Sequence, residues 1–153
     1  MGMFRLSKKM VYALEAVVDI AYNAGEHPAQ SRDITKRQGI PQRYLEQVMQ
    51  RLVRAGVLKG VRGPRGGYRL ARERRRITVG EVARVLEDAD DAQDPLAGDD
   101  VSELADRVVR PLWRDLGDTI MQELDSITIE DLCQSAHAKG IDSESGERVQ
   151  FDI

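Results

Sequence analysis

The residues best placed to do chemistry lie between positions 61 and 71, Val-Arg-Gly-Pro-Arg-Gly-Gly-Tyr-Arg-Leu-Ala. Arg62, Arg65 and Arg69 bring fixed positive charge to a short glycine-rich turn, and Val57, Leu58, Val61, Tyr68 and Leu70 bracket it with apolar side chains. The pair Gly66-Gly67 is expected to supply the positive φ that a tight hairpin often needs. An arginine-tipped β-hairpin directly after a helix has one obvious chemistry, contact with DNA phosphates or insertion at a minor groove. On that reading Arg62, Gly63, Arg65, Gly66, Gly67 and Tyr68 form a contact surface. A plain solvated hairpin would carry the same residues, so the surroundings of the turn must separate the two readings.

The charge layout favours contact. The whole chain holds 23 Lys+Arg and 26 Asp+Glu, a net of −3. Residues 1–86 hold 18 Lys+Arg against 7 Asp+Glu, a net of +11, and residues 87–153 hold 5 against 19, a net of −14. The positive charge gathers over 51–76, around the hairpin. A basic half joined to an acidic half points to a nucleic-acid face built from one part only. Binding by such a face releases counterions and should weaken steeply with salt.

Other chemistry is largely excluded. No His–carboxylate pair accompanies a nucleophile, and there is no phosphate loop or metal-binding helix motif, so an enzyme is not expected. The single cysteine, Cys133, rules out an internal disulfide and fits a reducing cytoplasm. The longest apolar region, 10–24, is interrupted by Glu15 and Asp19, so neither a membrane span nor a secretory signal is expected. At 5% aromatic residues the chain is a poor candidate for a base-stacking single-strand binder.

The elements that would position the turn follow from periodicity and punctuation. Ser7 to Ala24 predicts a helix capped by Ser7, with Val11, Leu14, Val17, Val18 and Ala21 as its inward stripe. Ser31 to Gln38 predicts a short second helix with Ser31 as N-cap, and Gly39 stops it. Pro41 opens a third helix running to about Ala55, with Leu45, Val48, Met49, Leu52 and Val53 inward. Two helices joined by a short turn and followed by a basic hairpin make a winged helix-turn-helix. Its third helix would enter the major groove, with Gln42, Arg43, Tyr44 and Glu46 at base edges. Tyr44 could instead pack in the core. Ser31, Gln47 and Arg51 complete the candidate DNA-contact set.

Further along, Ile77 to Leu86 predicts a fourth helix with a Thr78-x-x-Glu81 capping box. Residues 87–101 read as an acidic flexible loop, and 102–124 as a long helix that Pro111 must kink or restart. Leu104, Val108, Leu112, Leu116, Ile120 and Leu124 line one flank of it, with Val109 and Trp113 beside them. Such a stripe suits a dimer interface, with an intrachain core helix as the alternative. Thr128 to Ala136 predicts a short capped helix, and 137–153 a polar tail. The expected domains are therefore 1–86 for DNA binding, 87–101 as loop, 102–136 as dimerisation and closing helices, and 137–153 as tail.

The motifs Tyr12-Ala13-Leu14, Ile40-Pro41-Gln42-Arg43-Tyr44-Leu45-Glu46-Gln47, Ala55-Gly56, Arg62-Gly63-Pro64 and Gly66-Gly67-Tyr68-Arg69-Leu70-Ala71 resemble the Rrf2 family of bacterial transcription regulators. Leu112-Trp113-Arg114-Asp115-Leu116 and Ile127-Thr128-Ile129-Glu130-Asp131-Leu132 look like the dimer helix and closing turn of its iron–sulfur branch. The resemblance spans roughly 3–133. It implies a mainly α homodimer of winged helices with a long C-terminal dimerisation helix, binding a pseudo-palindromic operator in double-stranded DNA, usually as a repressor. Relatives that sense iron, oxygen or nitric oxide hold an iron–sulfur cluster through three cysteines in the loop before the dimer helix. Here Arg107 and Arg110 stand where the last cysteine and a histidine ligand would fall, and no cysteine lies in that loop. Its aspartates, Asp88, Asp90, Asp91, Asp94, Asp99 and Asp100, are hard donors unsuited to a soft cluster. No cofactor is therefore expected. The alternative is a [2Fe–2S] cluster with atypical ligands drawn from Cys133 and His137, which stand i,i+4; against it stands a buried structural thiol beside a surface histidine.

Overall fold

The computed structural model describes residues 7–25, 27–87 and 101–144. Residues 1–6 and 26, the expected acidic loop over 88–100 with its six aspartates, and 145–153 of the expected tail lie outside those residues. Helix α1, Lys8–Asn23, is the central element and touches α2 (Ser31–Gln38), α3 (Gln42–Arg54), α4 (Val79–Val85) and α6 (Ile129–Ala138). Ser7 caps α1 as expected, its hydroxyl oxygen accepting from the Met10 N–H at 3.2 Å. The inward face is not the stripe expected from periodicity. Met10, Ala13, Ala16, Val17 and Ile20 are buried, while Val11 is exposed and Leu14 and Val18 are half-buried. A helix packed on several sides has no single apolar stripe, so a one-face template misplaces it.

Helix α2 departs in one detail. Gln30, not Ser31, occupies the N-cap position, without a side-chain cap bond, and Ser31 is the first helical residue. Gly39 ends the helix in the left-handed region at φ 69°. Helix α3 buries Leu45, Val48, Met49 and Leu52, as its pattern predicts, and Gly56 ends it at φ 78°.

The hairpin forms from β1 (Leu58–Val61) and β2 (Gly67–Leu70), antiparallel, with Leu58 opposite Leu70 and Val61 opposite Gly67. Ala29, ahead of α2, adds a third, one-residue rung: its N–H donates to the Tyr68 carbonyl at 3.0 Å, and the Tyr68 N–H donates to the Ala29 carbonyl at 2.8 Å. The wing is thus fastened to the segment that leads into α2.

Helix α4 starts at Thr78 and α6 at Thr128, and the two starts are laced together. The Val79 N–H donates to the Ile127 carbonyl at 2.8 Å, and the Ile129 N–H to the Ile77 carbonyl at 2.9 Å. Thr78 accepts from the Glu81 N–H, but the Glu81 carboxylate turns to Arg72, so only half of the expected capping box exists there. The full box forms at Thr128 with Asp131. Between them runs α5, Arg110–Asp125, preceded by a π turn over Ala105–Val109. Pro111 has no N–H and its ring would crowd the carbonyl four residues back; the wider turn makes room and Pro111 sits in the first turn of α5.

The core does not stop at Leu86. Ile129 and Cys133 of α6, both 0% exposed, pack with Ala13, Val17, Ile77 and Leu86. The expected polar tail is anchored over 141–144: Tyr22 donates its hydroxyl to the Ile141 carbonyl, and the buried Ser143 donates to the Tyr22 carbonyl at 2.5 Å. By contrast α5 buries no residue at all.

Candidate nucleic-acid interface

The helix-turn-helix is held by one buried charge. Asp19 of α1, 2% exposed, accepts from Arg37 Nε at 2.8 Å, Arg37 Nη2 at 2.7 Å and Gln38 Nε2 at 2.8 Å. The fork-on-carboxylate geometry is the strong form of this contact. The hydrogen bond to Asp19 also holds the Arg37 guanidinium above its ordinary pKa. Both donors sit in the last turn of α2, one residue or two before Gly39, so they tie the end of α2 to α1 just ahead of the turn into α3.

At the start of α3, Gln42, Arg43, Tyr44, Glu46 and Gln47 are all exposed, with Ile40 and Leu45 buried beneath them. The Thr35 hydroxyl donates to Gln42 Oε1 at 2.9 Å, and Gln42 Nε2 donates to Glu46 Oε1 at 3.1 Å. Gln42 is therefore oriented from α2 and keeps one N–H and one lone pair for a partner. Tyr44 is not buried in the core but leans on a neighbouring ring. It is 37% exposed, its ring lies 6.0 Å from that of Tyr12, and Arg43 lies 5.6 Å over its face.

The wing tip spans 62–66. Gly63, rather than Gly66 or Gly67, takes the positive φ, at 111°. The two later glycines are needed for close approach: a Cβ at Gly66 would meet the Val61 carbonyl, and one at Gly67 the Ala29 carbonyl. Arg62 and Arg65 are exposed, and neither has a hydrogen bond or ion pair among the described residues. Arg69 is different: it is half-buried and donates to the Gly25 carbonyl at 3.2 Å. Tyr68 is half-buried against the core. Arg51 reaches the Glu87 carbonyl at 3.4 Å, beyond the end of α4.

The basic run over 51–76 is not one uniform face. Arg72 pairs with Glu81, Arg74 with Glu130 and Arg75 with Glu73. Arg72 and Arg74 hold the wing base to α4 and α6, Arg75 pairs within its own segment, and the tip arginines Arg62 and Arg65 are left without an ion pair among the described residues. The sequence reading missed Asp19, Thr35 and Ala29. A charged residue in an apolar helix stretch was the available signal for Asp19; a one-residue strand has no periodicity to read.

The comparisons with known proteins follow the same geometry. The family model for Rrf2, described as an iron-dependent transcriptional regulator, matches residues 6–135. The chain belongs to the Rrf2 family. Among Rrf2 relatives, the HTH-type transcriptional regulator IscR of Xenorhabdus nematophila is 40% identical over 132 residues, covering 86% of this chain and 80% of that protein. The solved structure of IscR from T. potens superposes with a TM-score of 0.73 at 36% identity, covering 92% and 93% of the two chains. CymR of B. subtilis, described as the global cysteine regulator, gives 0.68 at 34% identity, with 87% and 98% covered. This Rrf2 protein is a transcriptional regulator, and its relatives are named for regulation rather than catalysis.

An iron–sulfur cluster, which the Rrf2 description brings to mind, does not fit the donors of this chain. There is one thiol, Cys133, and it is 0% exposed in the core with its pKa pushed up to about 11, chiefly by desolvation. Metal ligation needs the thiolate. Arg107 stands near Glu103 at 3.8 Å. His137 is half-buried near the end of α6. No three His, Cys, Asp or Glu residues converge on a metal-sized site among the described residues. No described helix is long and apolar enough to cross a membrane.

Proposed function

We propose that the chain is a cytoplasmic, homodimeric, sequence-specific DNA-binding regulator that represses by occupying a pseudo-palindromic operator. The observation that carries the DNA reading is the pairing of an exposed α3 start with an ion-pair-free arginine tip, both tied to the Ala29–Gln38 segment. Arg62 and Arg65 supply affinity and position through phosphates or the minor groove. Gln42, Arg43, Tyr44, Glu46 and Gln47 read base edges in the major groove, where Arg suits guanine and Gln suits adenine. Ser31, at the first turn of α2, offers a hydroxyl and a free N–H to a phosphate.

The dimer is supported by α5 and the turn that leads into it. Leu104 is 68% exposed, Val108 57%, Leu112 58%, Trp113 51%, Leu116 47% and Ile120 41%. Leu124, nearer the core, is half-buried and marks where the stripe turns inward. A contiguous apolar stripe of that kind is uncommon on a monomer. Two stripes facing each other would set the wings as a two-fold pair.

The signal is not an iron–sulfur cluster in this reading, because the donor set is one buried thiol. Protein prepared without oxygen should be colourless and free of stoichiometric iron; a visible spectrum lost in Cys133→Ala would restore the cluster alternative.

Gel shifts on genomic fragments at several salt concentrations test the main proposal. Arg65→Ala should weaken binding to all sequences and lower the salt slope by about one. Arg43→Ala should instead relax discrimination at one position by roughly 1–3 kcal/mol. Equal effects of the two variants on all sequences would show that α3 does not read bases. Absence of any sequence-selective shift would remove the proposal.

A further inference from the structure

A cavity of about 500 Å³ opens behind the helix-turn-helix, away from the wing tip and from the stripe on α5. Its floor is apolar: Leu14 and Val18 of α1 face Leu132 and Ala136 of α6. These are the α1 residues that fall off the buried face, and the cavity is why they are only half-buried. The far wall is Ile141 to Glu144. That wall is fastened by the Tyr22 and Ser143 bonds and by the Glu144 N–H, which donates to Asn23 Oδ1 at 3.0 Å. The volume suits a small organic ligand.

The charges around it are lopsided. Among the described residues, Glu15, Asp19, Asp142 and Glu144 line the cavity with a single cation, Arg37, and Asp142 already has an interaction of its own. That cation is already spent on Asp19. Glu15 has no ion pair among the described residues. An apolar floor under an acidic rim complements a ligand with an apolar body and one positive charge.

The same cavity touches the lock on the reading head. Arg37 and Gln38 are both lining residues and both donors to Asp19. A cation lodged there would compete with Arg37 for the Asp19 carboxylate and loosen the last turn of α2. We infer that this cavity is an effector site for an apolar organic amine in its protonated form, and that its occupancy weakens operator binding through Asp19, Arg37 and Gln38. The effect on DNA rests on the proposed regulator function; the binding of the amine does not.

The test uses the full chain and three molecules of one shape: protonated tryptamine, neutral tryptophol and anionic indole-3-propionate. Calorimetry should give one tryptamine per chain with Kd below about 1 mM, and at least roughly tenfold weaker binding for the other two. Glu15→Gln should weaken tryptamine several-fold without changing operator affinity, and Ala136→Phe should fill the cavity and abolish it. Saturating tryptamine should lower operator affinity by about fivefold or more, and operator DNA should weaken tryptamine by the same factor, as linkage requires. Equal binding of the three molecules, or tryptamine binding indifferent to both substitutions, overturns the site. Selective binding with unchanged operator affinity overturns the coupling. Selective tryptamine binding by a protein that shifts no DNA leaves the site standing and fails the regulator proposal instead.

Discussion

Replacing Arg37 by methionine should do more damage than replacing Asp19 by asparagine, although the two form one ion pair. The Asp19 side chain is 0% exposed, whereas that of Arg37 is 26% exposed. Arg37→Met leaves a carboxylate in the core with only Gln38 to answer it, and a buried charge stripped of its partner costs about 3–5 kcal/mol. Asp19→Asn leaves a guanidinium that already reaches solvent, so its cost is that of exchanged hydrogen bonds, about 1–2 kcal/mol. The double replacement Asp19→Leu with Arg37→Met removes both charges and should lie closer to wild type than Arg37→Met does. Urea unfolding at one fixed protein concentration measures all three, since any self-association shifts apparent stability. In heat, the gap between the single variants should be roughly 5–10 °C for a chain of this size. DNA selectivity should fall in parallel, because the pair fixes α2 against α1. Equal losses for the two single variants, or a double variant worse than Arg37→Met, would show that burial of Asp19 is not what makes the pair matter.

Gly67→Ala places a Cβ against the Ala29 carbonyl, a backbone atom that cannot swing aside. It should cost about 1–3 kcal/mol and weaken DNA binding, while Gly60→Ala, with nothing within 4 Å of its Cβ, should leave the wing in place. Equal behaviour of the two would refute the Ala29 anchor. Leu116→Glu puts a charge in the middle of the α5 stripe. Sedimentation should show wild type at twice the 17.2 kDa chain mass and the variant at one chain mass, with operator binding reduced; a monomeric wild type would refute the dimer reading. The Cys133 thiol is pushed from 9.0 to about 11 in the folded chain, so its buried neutral form favours folding fully below pH 9. That contribution should be lost as pH rises from 9 towards 11, because the unfolded thiol ionises first. Native alkylation near pH 8 should be slow, with only about 0.1% thiolate available, and should become fast in denaturant. Fast native alkylation would show that the thiol is not held as the structure places it.

The helices and the wing were legible because their signals are local. Gly39 and Gly56 sit where chain direction reverses with positive φ, and the apolar positions of α3 recur on one face. The stripe on α5 was legible for a different reason: nothing among the described residues covers it, so its period survives undisturbed. What escaped was everything made by contact between distant segments. Ala29 forms strand pairing only because Tyr68 lies opposite it. The true face of α1 depends on four helices packed around it. The arginines at 72, 74 and 75 count as positive charge in sequence, yet each meets a carboxylate in space.

That last difference changes what charge can be asked to do. In sequence the basic half predicts a broad electrostatic footprint. In the fold, Arg74 spends its charge holding α6, through Glu130, beside Cys133, and Arg84 spends its own on Asp125 at 2.6 and 2.7 Å. The acidic half therefore does not merely balance the basic half; part of it neutralises the wing base and leaves the tip exposed. On the proposed reading, Arg62 and Arg65 at the tip share the phosphate contacts with other exposed cations such as Arg32, Arg54 and Lys59. The α2 helix that precedes the proposed reading helix is itself tied to α1 by Asp19, through Arg37 and Gln38. Regulation acting on the Asp19 lock would thus reach operator binding without touching the residues that meet the bases.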